Sequence, residues 1–129
     1  MPLKKPLYYL FLSAVFVFIG SFITTAYAQQ VVQHWPSGAK KAEGDTLEGK
    51  RTGIWTDWRE DGAKLSIGEY KRGEKTGKWE YWYSNGQKWS EVHIEDGLCV
   101  GWFMNGQKEK EGEVRNGLKS GKWSFWYQD

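Results

Sequence analysis

The chain has a single cysteine and only two histidines, and past residue 28 it has little Val, Ile or Leu. Each shortage excludes something. With Cys99 alone, no disulfide can close within the chain. Cys99 does not follow a leader, so it is not a lipid-anchoring cysteine. It reads as a small buried apolar filler, with a bridge between two chains as the alternative. His34 and His93 lack the ligand spacing of a metal site. Nucleophilic catalysis needs a Ser or Cys beside a positioned His, and no G-x-S-x-G elbow occurs. His93 is expected on a strand and Cys99 in the turn beyond it, which separates them. Glu109, Glu111 and Glu113 are expected on one strand face, but the intervening Lys108 and Lys110 suggest a solvated edge rather than a glycosidase pair. No catalytic residue, metal or cofactor is therefore expected, and the chain reads as a non-enzyme. The shortage of aliphatic residues also argues against a two-layer oily core.

Charge of one sign is lacking too. Lys4 and Lys5 account for the whole formal +2, because no Asp or Glu precedes residue 29. Taking those two from the eighteen basic residues leaves sixteen, against sixteen acidic ones. A neutral remainder has no basic stripe to follow a phosphate backbone, so no nucleic-acid partner is expected. Nor is there a polybasic patch for anionic lipid.

The one long apolar run is at the start. Lys4-Lys5 precede Leu7 to Ile23, followed by Thr24-Thr25 and Ala26-Tyr27-Ala28. A basic start, an apolar middle and an A-x-A end describe a secretory signal peptide, helical and cut after Ala28. The alternative is an uncleaved anchor helix. Either way the chain is expected to be exported, periplasmic or extracellular, and tethered if uncleaved. The membrane is met only through this segment. Residues 29–33 read as a short linker and 34–129 as one domain.

What is abundant is glycine and tryptophan, and both recur. Glycines at 38, 49 and 53 are repeated at 62, 73 and 77, at 86, 97 and 101, and at 106, 117 and 121. A further glycine lies six after the first at 44, 68 and 112, with Val92 in that place in the remaining unit. Ser37, Asp61, Asn85 and Asn105 precede the leading glycine, and Lys40, Lys64, Lys88 and Lys108 follow it by two. Trp58, Trp82 and Trp102 stand four before that glycine, and Trp126 holds the same place in a truncated last unit. Trp55, Trp79 and Trp123 form a second column, two after the closing glycine. The units are about 34–53, 54–77, 78–101 and 102–121, with a partial one at 122–129. Gly101 runs straight into Trp102, so the third step is short.

Asp-Gly and Asn-Gly between alternating aromatic and polar residues signal hairpins. A two-residue type I′ turn on Asn85-Gly86 pairs Trp82 with Trp89, Tyr83 with Lys88, Tyr81 with Ser90 and Trp79 with Val92. On Asp61-Gly62 it sets Trp58 against Leu65 and Trp55 against Gly68. An indole opposite a strand glycine covers otherwise bare backbone. The G-x-x-x-G turns then reverse the chain into the next unit. The expected fold is all-β, an elongated antiparallel meander of repeated hairpins, with helix excluded after the leader by the glycine frequency. Large aromatic rings replace the missing aliphatic core.

The stretch GIWTDWREDGAKLSIGEYKRGEKTGKW carries the pattern G-x-W-x-x-W-x-x-[DN]-G-x-K-x-x-x-G-x-Y-x-x-G-x-x-x-G-x-W, which resembles a MORN-type repeat of the bacterial variant kind. The likeness runs from about His34 to Asp129. Val92-His93 depart from the usual Gly-Glu pair, and the third unit is four residues short. The resemblance implies an elongated sheet acting as a scaffold, a dimerisation surface or a binding platform. Some bacterial relatives are antitoxins of toxin–antitoxin pairs, which act in the cytoplasm, whereas this chain has an export signal.

The functional expectation is a non-catalytic module that binds an envelope or secreted protein. The alternatives are envelope-glycan binding through an aromatic column and an antitoxin-like or immunity role. The candidate partner-binding residues are the column Trp58, Trp82, Trp102 and Trp126, plus Trp89, the aromatic that breaks the repeat. Trp55, Trp79, Tyr70, Tyr81 and Ile94 read as the packed face. The truncated C-terminal edge strand is a place where a second copy can pair.

Overall fold

A computed structural model describes residues 26–128 of the chain. The expected leader falls almost wholly outside that range. The described residues form a single antiparallel sheet with nine strands in chain order. These are β1 (Gln29–His34), β2 (Lys40–Leu47), β3 (Lys50–Trp58), β4 (Lys64–Lys71), β5 (Glu74–Trp82), β6 (Lys88–His93), β7 (Gly97–Trp102), β8 (Lys108–Arg115) and β9 (Leu118–Phe125). Each strand pairs only with its sequence neighbours, so the meander expected from the glycine period is present. One strand was not expected. Residues 29–33, read as a linker, form most of β1. Val31 lies opposite Gly44, where a later unit has Trp55 opposite Gly68. The repeat thus begins one half-unit earlier than its glycines show.

The two kinds of turn are the reverse of the sequence expectation. At Gly38, Gly62, Gly86 and Gly106 the loop has three residues, and only the glycine has positive φ. At the third of these turns, Gly86 N donates to Tyr83 O (3.1 Å) and Tyr83 N to Gln87 O (2.9 Å). This is a type I turn closed by a glycine bulge. Asn85 keeps an ordinary φ and contributes its side chain instead, Oδ1 accepting from Gln87 N at 3.0 Å. Asp61 and Asn105 do the same for Ala63 and Gln107. The type I′ geometry lies at the other end of the strands. Glu48-Gly49, Arg72-Gly73 and Asn116-Gly117 all have positive φ, between strands paired at Leu47–Lys50, Lys71–Glu74 and Arg115–Leu118.

The three-residue loop changes the register by one. Trp55–Gly68, Trp79–Val92 and Tyr81–Ser90 pair as expected. Trp58 and Trp82, however, face Lys64 and Lys88, not Leu65 and Trp89, and Tyr83 does not pair with Lys88. Leu65 and Trp89 become the extra residues of bulges, and a bulged residue changes the face to which its side chain points.

Cohesion comes from a repeated indole–glycine contact. A Cβ built on Gly44, Gly68 or Gly112 would stand 2.5, 2.2 or 2.3 Å from the ring of Trp55, Trp79 or Trp123. Each indole Nε1 donates to the carbonyl just beyond its glycine, at Asp45 (2.9 Å), Glu69 (3.2 Å) and Glu113 (3.1 Å). Each of these glycines adjoins a register shift. Trp55 and Trp79 are completely buried in a sheet that has no second layer among the described residues. Tyr70 meets both edge-on, at 6.3 and 5.1 Å between ring centres. In the third unit the Trp column is occupied by Cys99, in β7 between Val92 and Gly112. It lies in a strand rather than a turn. It is buried, and that burial pushes its thiol pKa up.

Candidate functional site

Strand alternation sorts the aromatic columns onto two faces. Trp55, Trp79 and Trp123 lie on the first. Trp58, Trp82, Trp102 and Trp126 lie on the second, and there the structure does gather the expected column. The column is not bare. Within each hairpin the tryptophan is paired with a lysine: Trp58 with Lys64, Trp82 with Lys88, Trp102 with Lys108. Between hairpins, the preceding unit's lysine stands over the next ring. Lys40 Nζ is 5.1 Å from the Trp58 ring centre, Lys64 5.0 Å from Trp82, Lys88 6.0 Å from Trp102 and Lys108 5.4 Å from Trp126. The result is one continuous Lys–Trp row. Each such contact contributes about 0.5–1 kcal/mol at an exposed site.

Beside this row runs a second one with carboxylates, Glu43, Glu80, Glu91 and Glu111. Glu43 and Glu111 hold Lys40 and Lys108 at 2.8 Å each. In the middle of the sheet four charges close a ring. Lys78 reaches Glu80 (3.1 Å) and Glu91 (3.0 Å), and Lys88 reaches the same two carboxylates at 2.8 and 3.2 Å. The hydrogen bond from Lys88 holds the Glu80 carboxyl below its usual value of 4.5, and the hydrogen bonds that Lys78 donates to Glu91 and Glu80 raise its own pKa. A carboxylate with a depressed folded pKa stabilises above its unfolded value, and the benefit is lost as pH falls through the folded one. The ring's contribution should therefore be complete at neutral pH and fade below about pH 4.5. Urea midpoints of the wild type and Glu80→Gln should converge on acidification. Midpoints that stay equally far apart from pH 7 to pH 3 would contradict this.

The residue just before each three-residue loop fastens one unit to the next. Trp35 Nε1 donates to Trp58 O (3.2 Å), Arg59 Nη2 to Trp82 O (2.9 Å) and Tyr83 Oη to Trp102 O (3.0 Å). Three different side chains make one and the same latch. Phe103 has no side-chain donor, so the series ends before Trp126, which is 42% exposed. Tyr83→Phe should cost about 1 kcal/mol of unfolding free energy, the net worth of one hydrogen bond. A urea melt indistinguishable from wild type would remove the latch from the account.

Trp89 does not join the column. As a bulged residue it sits on the first face, against Tyr81 (5.8 Å between ring centres) and Tyr83 (6.1 Å). Tyr81 in turn stacks on Trp79 at 6.0 Å. Trp89 is 43% exposed. Of the five candidate residues, Trp89 and Trp126 are thus the exposed ones, and they lie on opposite faces. The three glutamates of β8 are divided as well. Glu109 is the bulged residue, its carboxylate 3.7 Å from Lys110, while Glu111 is held by Lys108 and Glu113 faces Arg115 at 3.9 Å.

Cations also cover the indoles of the first face, which the sequence reading missed. Arg51 lies 3.9 Å over Trp55, Lys75 4.0 Å over Trp79 and Lys119 4.5 Å over Trp123. All three sit four residues before their tryptophan, in R-T-G-x-W, K-T-G-x-W and K-S-G-x-W, so the spacing was there to be read. Among the described residues no group of three His, Cys, Asp or Glu side chains could hold a metal ion. No family model, curated protein or solved structure matches the chain.

Proposed function

We propose that the chain is an exported, non-catalytic repeat module of the MORN-like kind that engages a protein partner in the cell envelope. One observation carries this reading: of the five exposed Phe, Trp and Tyr side chains among the described residues, all but Tyr27 lie at one end of the sheet, the end of the three-residue loops. Trp89 stands there with Tyr81 and Tyr83 on the first face. Phe125, Trp126 and Tyr127, exposed by 59, 42 and 93%, follow at the end of the last strand. Exposed Trp and Tyr beside a satisfied polar surface are the usual anchors of protein interfaces. An immunity role is the same mode of action with a toxin as the partner.

Sugar stacking fits the second face less well. A ring lying on Trp82 has to displace Lys64 and Lys88, whose ammonium groups already stand 5.0 and 5.9 Å from its centre. The test is photo-crosslinking in cells, with a benzophenone amino acid at position 89, 127 or 56. One defined envelope protein should be captured from 89 and 127 and not from 56, and purified cell wall should not sediment the protein. Absence of any adduct from a correctly folded chain would overturn the reading, as would co-sedimentation with wall that depends on Trp82.

A further inference from the structure

The two outer strands of the sheet differ in how they are guarded. Among the described residues, β1 and β9 are the edges. A free edge offers unpaired N–H and C=O groups to another chain, and proteins commonly blunt it with lysine, bulges or glycine kinks. β9 carries Lys119 and Lys122, and Gly121 has φ +64. β1, with the sequence QQVVQH, has no Asp, Glu, Lys or Arg. Its register with β2 is regular from Gln29 to Gln33, with the irregularity falling only between Gln33 and His34. Val32 is 41% exposed beside it.

We infer that β1 is a self-association edge whose occupant is β1 of a second copy, paired antiparallel about Val31. This inference is independent of what the aromatic end binds. A two-fold axis perpendicular to a sheet must put a residue opposite itself, and Val31 is the midpoint of the regular stretch 29–33. That register sets Val31 against Val31 of the other copy and Gln29 against its Gln33. Both pairs lie on the first face, because Val31 is opposite Gly44, whose Cβ direction points at the first-face ring of Trp55, and Gln33 Oε1 already accepts from Arg51 on that side (3.3 Å). The two Gln29–Gln33 pairs bring primary amides together, each able to donate to and accept from the other. On the other face Gln30 meets Val32. No like charges are opposed anywhere in the seam, which is the condition that cross-strand pairing needs. Joining equal edges closes the assembly at two copies, whereas joining β1 to β9 would leave ends free to grow into a filament.

The full chain, expressed with its leader and purified after export, should sediment at twice its mass at micromolar concentration. Val31→Lys should return it to one chain mass with an unchanged circular dichroism spectrum. A register test does not depend on that variant folding. Opposed residues of an antiparallel pair have Cα atoms about 4.5–5.5 Å apart, within disulfide range. Val31→Cys should therefore give a covalent dimer on mild oxidation, while Gln29→Cys and the wild type, whose Cys99 is buried, should not. A strict monomer would overturn the inference. So would a dimer that persists in Val31→Lys or that crosslinks through Lys122→Cys instead of Val31→Cys.

Discussion

Gly68→Ala is expected to cost about 3 kcal/mol or more of unfolding free energy, at the severe end of overpacking. The added methyl would stand 2.2 Å from Cδ2 of Trp79 and 2.4 Å from Cε2. The ring has little room to retreat. It is fully buried, its Nε1 is tied to the Glu69 carbonyl, and Lys75 lies 4.0 Å over its other side. For a domain of this size the loss corresponds to a fall in Tm of roughly 12–24 °C. The control is Gly86→Ala. Nothing lies within 4 Å of a Cβ there, but φ is +83. Its cost is conformational only, about 1–2 kcal/mol. Thermal melts followed by circular dichroism compare the two, and equal losses would mean that the indole–glycine contact is not what holds the units together.

Trp79→Ala is the second large effect, expected at about 3–5 kcal/mol. A domain of this kind has about 5–15 kcal/mol in total, so a large share of it would go. The reason lies in what the ring touches. It covers Gly68 on β4, donates to Glu69, meets Tyr70 edge-on at 5.1 Å and stacks on Tyr81 at 6.0 Å. It therefore joins two units, and in a repeat protein most stability resides in such neighbour contacts. Trp82→Ala should cost clearly less, since that ring is only half-buried and its partners are flexible lysines. The comparison is made by urea denaturation of the two variants. Equal midpoints would contradict the division of the aromatic columns into a cohesive face and a decorated one.

Much of this architecture was legible in the spacing of glycine and tryptophan. A hydrophobic period alone would not have shown it, because the strands bury few aliphatic residues. The pairing of Trp55 with Gly68 follows from residue type and register, since only glycine leaves room for an indole lying flat on backbone. The cation above each first-face indole was equally open to view at a fixed spacing of four, although the sequence reading passed over it.

Other features could not be read that way. Asn85-Gly86 is compatible with a two-residue and a three-residue loop, and the choice changes the register by one. In a strand a shift of one moves a side chain to the opposite face. That shift takes Trp89 from the column where spacing put it and sets it against Tyr81 and Tyr83. β1 was hidden for a related reason. It carries Val31 where later units carry tryptophan, so no repeat residue marks it, and its pairing with β2 reveals it. The order and length of the hairpins, and the contact that holds them, were determined by the sequence alone, because they depend on local backbone freedom and the size of one ring. The face of each side chain and the identity of the edge strands among the described residues were decided by the tertiary structure, because they depend on a bulge of one residue and on how the described strands pair.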